Sequence, residues 1–385
     1  MKFIATRSAL ESALKTVSPA VDGRSLQVLT MVRLEVVRKD GGEPRLALAA
    51  TNLNQSIVTD CDLVGADAGG QSDAGSVLLP HGILSRIVAK LPDGQITVSV
   101  SDDDKATISA SGSKFKLAGL PSKEFPALPR LADDDYAYTF KAETLVGCLR
   151  RTAYAASADE TRRVLMGVLF SFSSGCASVR FAATDGRRLV TETAECESVG
   201  GRGDFDVVVP SQSIAIIRNA AAAAPKDSIC KIGIATTQAC FEFAGTTVFT
   251  KLVDEVYPNV MQVIPANYDG FSKAAFDRVA FLAALDRVSA VGSENDTHTV
   301  RVEFGDGLLK FRGRNGDNEA IDEIPVKYDG EKMEVIFDSR YLAAPFKTFG
   351  DDEAAICLQG AQSPAVVVAP SVPSYVSVIM PLRVG

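Results

Sequence analysis

Only two histidines, His81 and His298, occur in the 385 residues, and neither has a Cys, Asp or Glu at the spacing of a zinc ligand set. A histidine-based metal site or a Ser/His/Asp triad therefore finds no support. Cysteine is scattered: Cys61, Cys148, Cys176, Cys196, Cys230, Cys240 and Cys357 contain no C-x-x-C pair, and their odd number leaves at least one unpaired. Reduced core thiols are the expectation. No apolar run approaches the roughly 18 residues of a membrane span. The opening Met1 to Thr6 meets Arg7 and then Glu11 before any long apolar stretch, which is wrong for a signal-peptide core. A soluble, cytoplasmic protein is expected. Positive charge is also short, with 40 Lys and Arg against 48 Asp and Glu and a net charge of −8. Taken alone, that balance argues against nucleic acid, because duplex binding normally leaves a footprint of Lys and Arg.

What is present is a hydrophobic content of 46% with 23% charged residues, enough for two or three ordinary cores. An internal repeat of about 130 residues organises them. Extended starts carrying an aromatic precede helical patterns at Phe3, Phe140 and Phe271. Apolar strands end at a helix start at Pro80, Pro210 and Asp338, where Pro or Asp suits amides that lack partners. The pairs Thr51-Asn52 and Thr184-Asp185 follow similar apolar strands, and Phe125-Pro126 is matched by Tyr257-Pro258.

Segments such as Gln95 to Val100 and Thr299 to Phe304 alternate with the period of two of strands with one wet face. Helices are expected at 8–17, 81–90, 142–155, 211–224, 275–288 and 339–349, with apolar stripes such as Leu10, Leu14 and Val17. Pro345 should kink the last of them or shift its start. Each copy is then an α+β unit with sheets outside two helices. Pro-bearing links near 126–139 and 258–270 set the domains at 1–131, 132–265 and 266–385.

The repeat answers the charge objection. The six expected helices carry a net +6, which leaves −14 on the rest of the chain. Such a split places a cationic surface on the helices and an anionic one elsewhere. Arg86, Lys90, Arg150, Arg151, Arg218, Arg340 and Lys347 are its expected members, whereas Arg278 and Arg287 are nine apart on one helix and point to opposite sides. Twelve helices side by side at about 9 Å would line a circle roughly 34 Å across, wide enough for a duplex and its water. Three copies supply six helices, so two chains are needed, and closure also hides sheet edges.

The sequence resembles the bacterial DNA sliding clamps, the β subunits of DNA polymerase III. The resemblance runs the length of the chain and rests on Met1-Lys2-Phe3, Gly23-Arg24, Ala183-Thr184-Asp185-Gly186-Arg187-Arg188-Leu189, Lys251-Leu252-Val253-Asp254, Tyr257-Pro258 and Val378-Ile379-Met380-Pro381-Leu382-Arg383. It implies three similar clamp domains, a head-to-tail dimeric ring around double-stranded DNA without sequence preference, and no catalysis, metal or cofactor. It further implies that the DNA polymerase III α subunit, the clamp loader and other partners insert short peptides into an apolar cleft between the second and third domains. The matching positions are Leu165, Thr184, Gly186, Arg187, Arg188, Leu189, Pro258, Val263, Tyr341, Val378, Ile379, Met380, Pro381, Leu382 and Arg383. For DNA the resemblance adds Arg24, Arg162 and Arg163. Arg187 stands where a histidine is common and Gln262 where an arginine is frequent, and Val384-Gly385 extends the usual end, so peptide preference is expected to differ.

Two other readings follow from the residues. One keeps the fold but makes the chain a clamp paralogue with a specialised or inhibitor-resistance role. The other is a metal-dependent nucleic-acid enzyme, whose carboxylates would have to come from Asp102-Asp103-Asp104 or Asp133-Asp134-Asp135. Both runs lie in loop-like sequence, where solvated turns are the expectation.

Overall fold

The computed structural model describes residues 1–23, 26–38, 44–64, 74–131, 136–173, 177–198, 203–265, 267–292, 298–305 and 307–382. Six α-helices occur among them: α1 (Arg7–Val17), α2 (His81–Lys90), α3 (Ala142–Thr152), α4 (Ser211–Ala223), α5 (Arg278–Ser289) and α6 (Ser339–Phe346). Each begins directly after a strand. Thr6, Asp277 and Asp338 turn a side-chain oxygen back to the amides of Ala9, Ala280 and Arg340 at 3.2, 2.6 and 2.9 Å. These bonds satisfy donors that have no partner inside the helix.

Three helix boundaries differ from the sequence expectation by three residues, and the others by at most one. α5 starts at Arg278 and not 275, because Asp277 is its cap and Ser272–Asp277 is a strand. α3 ends at Thr152 and tightens into a 3-10 turn over Ala153–Ala155. α6 keeps its expected start and ends at Phe346, one residue past Pro345, which cannot donate to the helix ladder.

The repeat is also re-registered. Thr6 pairs with Gln95, Lys141 with Ile229 and Asp277 with Glu353, always as the last residue before a helix. Counting back from there, Phe140 matches Ala5 and Phe276, while Phe3 matches Tyr138 and Ala274. Phe271 precedes its strand and matches neither. All six of the matched residues are buried. An aromatic can occupy either of two inward positions two residues apart, and a period of two cannot tell them apart.

The chain gathers into two compact units, one of Met1–Glu143, Glu197–Arg202 and Ala215–Leu252, the other of Thr144–Cys196, Gly203–Ile214 and Val253–Gly385. In the first, a four-stranded sheet ends on the strand Ser113–Ala118, and a ten-stranded sheet is continuous because Thr246–Lys251 pairs antiparallel with Gln55–Asp62. The hydroxyls of Thr59 and Thr246 meet across that junction at 2.7 Å. α1 packs on α2 and on the strands Pro44–Thr51 and Gln55–Asp62, burying Leu10, Leu14 and Val17. His81 is structural: its Nε2 lies 3.0 Å from the Leu14 carbonyl and 3.3 Å from the Ser85 hydroxyl.

In the second unit a nine-stranded sheet is continuous through the pairing of Arg188–Glu195 with Val372–Ile379, and a four-stranded sheet ends on Asn318–Pro325. α5 packs on α6 around Phe276, Phe281, Phe311 and Phe346. Phe281 has its ring centroid 4.4 Å from Phe276, 5.3 Å from Phe311 and 4.7 Å from Phe346. Removing one such ring costs about 3–5 kcal/mol.

Candidate functional site

The second unit contains a cleft of about 310 Å³. One wall grows from the turn Thr184 to Arg188. Gly186 takes φ +89°, a conformation that an L side chain rarely adopts. Its amide donates to the Thr184 hydroxyl at 3.1 Å, and that hydroxyl donates to the Arg188 carbonyl at 2.7 Å. Asp185 accepts from the amides of Arg187 and Arg188 at 2.9 and 3.1 Å and from Arg188 Nε at 3.0 Å. The wall continues onto the end of the strand Val372–Ile379, where Leu189 pairs with Val378 in register and the Met380 amide donates to the Arg187 carbonyl at 2.9 Å. The segment around Val260 closes the cleft, anchored by Tyr257, whose hydroxyl accepts from the Thr184 amide at 3.1 Å. Burial pushes the Tyr257 phenol up to about 12, so it stays a neutral hydroxyl at physiological pH.

The floor is apolar and buried: Leu165, Leu189, Val260 and Val378 are each less than a tenth exposed. Val263 and Met380 form an exposed lip. An apolar floor with few polar groups at its mouth suits a short apolar ligand, and the volume lies at the low end of ligand pockets.

Of the residues expected here, Leu165, Thr184, Gly186, Arg187, Arg188, Leu189, Pro258, Val263, Val378 and Met380 line the cleft. Ile379 does not, because alternation along the strand turns it to the other face, where it is buried. Pro381 and Leu382 are also off the wall, and the Leu382 amide donates to the Ile336 carbonyl at 2.7 Å. Tyr341 stands behind the wall, its ring 4.6 Å from the Arg188 guanidinium, with Tyr154 at 5.4 Å from the same group. Arg383 lies outside the described residues, as do Val384 and Gly385. Asn259 and Val260 line the cleft and were not anticipated. The signal was their adjacency to Tyr257-Pro258, and the Asn259 side chain caps the short turn Val260–Gln262.

The expected DNA-facing cations divide. Arg86 and Lys90 on α2, Arg150 on α3, Arg163, and Lys347 just past α6 are exposed. Arg162 is half exposed and pairs with Asp159 at 3.1 Å. Arg218 is partly buried, with its Nε enclosed and unpaired. Arg340 is exposed but folds back on Asp338 through bonds of 3.1 and 2.8 Å. Arg24 lies outside the described residues.

Arg151 departs from the expectation. Its Nε reaches the buried Glu192 at 2.8 Å, its side chain is 15% exposed, and its charge is spent on the core. A Cβ on Gly147 would lie 3.0 Å from that guanidinium, so glycine leaves the room for it. Lys15 was missed. It is exposed in the last turn of α1, hidden in the sequence by Glu11 on the same helix. With the observed boundaries α2 carries +2 and each of the other five helices +1, so every described helix is cationic.

The Asp102 to Asp104 run is a turn in which Asp102 and Asp103 are exposed, Asp104 is half-buried and Asp103 pairs with Lys105. Asp133 to Asp135 lie outside the described residues. Among the described residues no group of three or more His, Cys, Asp or Glu could hold a metal ion.

A repeated α+β unit with cationic helices and an apolar cleft beside a continuous sheet defines a DNA-clamp type of protein. Models of the N-terminal, central and C-terminal domains of the DNA polymerase III beta subunit match residues 1–129, 139–259 and 261–383. The chain is 31% identical over 391 residues to the beta sliding clamp of Caulobacter vibrioides and 29% identical over 388 residues to that of Synechococcus elongatus, covering 100% of itself in both and 100% and 99% of the relatives. Its fold superimposes on a sliding clamp (DNA polymerase III subunit beta) of Pseudomonas aeruginosa bound to griselimycin with a TM-score of 0.90 at 26% identity, each chain fully covered. The chain belongs to the DNA polymerase III beta subunit family, the bacterial sliding clamps, which are non-catalytic processivity subunits.

Proposed function

We propose that two copies of this chain close head to tail into a ring around double-stranded DNA, and that the cleft of the second unit receives short peptides from the polymerase α subunit, the clamp loader and other partners. The observation that carries the tethering role is the cleft itself, with its buried floor of Leu165, Leu189, Val260 and Val378 under an exposed lip. Domains at 1–131, 132–265 and 266–385 would each contribute two cationic helices to the channel. Arg86, Lys90, Arg150, Arg163 and Lys347 are the residues offered to phosphate, with Arg162, Arg218 and Arg340 beside them. Contacts of this kind are sequence-blind, and retention would come from closure.

Ring closure is supported by two sheet edges. The terminal strand Ser113–Ala118 exposes Lys114 and Lys116, and the terminal strand Asn318–Pro325 exposes Glu319, Ile321 and Glu323. Exposed edges of opposite charge are complementary between copies and a liability when left open. Sedimentation equilibrium tests the assembly: a mass twice the 40.8 kDa of one chain is expected, and a folded monomer at all concentrations would refute the ring. No described helix is long and apolar enough to cross a membrane, in keeping with work in the cytoplasm.

A further inference from the structure

We infer that Arg187 selects partner peptides that carry an acidic side chain beside their apolar anchor; this rests on the cleft reading above. Two adjacent arginines line the cleft with opposite fates. Arg188 is neutralised by Asp185 at 3.0 Å and held against Tyr154 and Tyr341, with 15% of its side chain exposed. It shapes the wall. Arg187 is exposed, and its backbone is pinned at both ends, by its amide on Asp185 and by its carbonyl under the Met380 amide. Among the described residues no carboxylate pairs with its guanidinium.

The carboxylates of this turn and of the Arg162 loop are already used. Asp185 serves three donors from Arg187 and Arg188, and Asp159 serves the Thr161 amide and hydroxyl and Arg162 Nε. Asp254 and Glu255 do not line the cleft. Among the described residues the mouth therefore presents one positive charge with no carboxylate on it, fixed at its base, next to an apolar floor. The complementary ligand is an apolar pair of side chains with an Asp or Glu within reach of that charge. A charge at a rim adds specificity more than affinity.

Fluorescein-labelled seven-residue peptides containing Leu-Phe, with Asp one to three positions before or after the pair and an Asn twin of each, are titrated by anisotropy against the wild type, Arg187→Ala and Arg187→Gln. For at least one position the Asp peptide binds the wild type about five-fold tighter than its twin, as expected of an exposed charge pair. That advantage, read as the Asp-to-Asn ratio on each protein, falls with salt and disappears in both variants, whatever they do to binding of the Asn twins. Equal binding of Asp and Asn peptides to the wild type, or an advantage that survives in both variants, overturns the role of Arg187 and leaves the cleft reading standing. Failure of every peptide, Asp and Asn alike, sinks the cleft reading and this inference with it. Should Arg187→Ala unfold early, Arg187→Gln decides the result.

Discussion

Met380 donates its backbone N–H to the Arg187 carbonyl at 2.9 Å, and Lys251 makes the same bond to Asn54 at the same length. The whole turn is duplicated in the first unit: the Leu53 amide donates to the Thr51 hydroxyl at 3.1 Å as Gly186 does to Thr184, and Asn52 accepts from the amides of Asn54 and Gln55 as Asp185 does from Arg187 and Arg188. Leu53 sits at φ +71° where the cleft has Gly186 at +89°. The left-handed conformation is set by the turn and is tolerated, with strain, by an exposed leucine.

The two turns thus predict opposite responses. Gly186→Ala should lose about 1–2 kcal/mol of stability, because its Cβ is strained and meets the Arg162 guanidinium at 3.2 Å. Leu53→Gly should be neutral within about 1 kcal/mol, since relief of strain offsets the added chain entropy. Urea midpoints of the two variants measure both.

Arg150 and Arg151 are neighbours on α3 with different work. Arg151→Ala leaves Glu192 buried without its partner and should cost about 3 kcal/mol, read as a lower urea midpoint. Arg150→Ala removes an exposed charge and should leave that midpoint within about 0.5 kcal/mol, while reducing the salt slope of DNA association.

Asp338 caps α6 and pairs with Arg340. Burial alone would raise its carboxyl, but the bonds from Arg340 and the α6 backbone outweigh that and hold it below the usual carboxylate range. A folded value below the unfolded one stabilises the protein above the unfolded value and loses that contribution as pH falls through the folded one. Asp338→Asn keeps a capping oxygen but loses the charge that faces Arg340 and the helix N-terminus, and should therefore be less stable than wild type at neutral pH by up to about 1 kcal/mol. The gap should begin to narrow below about pH 4 and close as the folded carboxyl protonates. Melting curves from neutral to acid pH test this, and a gap that widens in acid would refute it.

Burial pushes the thiols of Cys61 and Cys196 up to about 12 and about 11, with Asp62 and Asp60 adding to the rise at Cys61. Both should resist a thiol reagent at pH 8 in the folded protein and react on addition of urea. Mass spectrometry of the labelled peptides reads the two states.

Much of this molecule was legible in its sequence because a repeat gives several chances to see one pattern. Pro80, Pro210 and Asp338 do sit between a strand and a helix, and the Thr51 and Thr184 turns are the same turn. The Phe3, Phe140 and Phe271 alignment slipped because strand alternation hides a shift of two. Asp277 was read inside α5 because a capping aspartate and a helical one look alike until the strand before it is known. At the site, the cleft residues that follow one another in sequence were found together, whereas Ile379 was included by adjacency and faces the other way. Arg151 was misplaced for a deeper reason: its partner Glu192 is 41 positions away, and no local pattern announces a buried pair.

Retention by closure is tested on circular DNA. The chain is loaded by a clamp loader onto nicked circular plasmid, and the plasmid-bound fraction is measured by gel filtration at high salt before and after a restriction enzyme linearises the DNA. The ring predicts that protein stays with the circle through high salt, where phosphate attraction alone fails, and leaves once ends are available. Loss from the circle at high salt, or equal retention on circular and linear DNA, would contradict it.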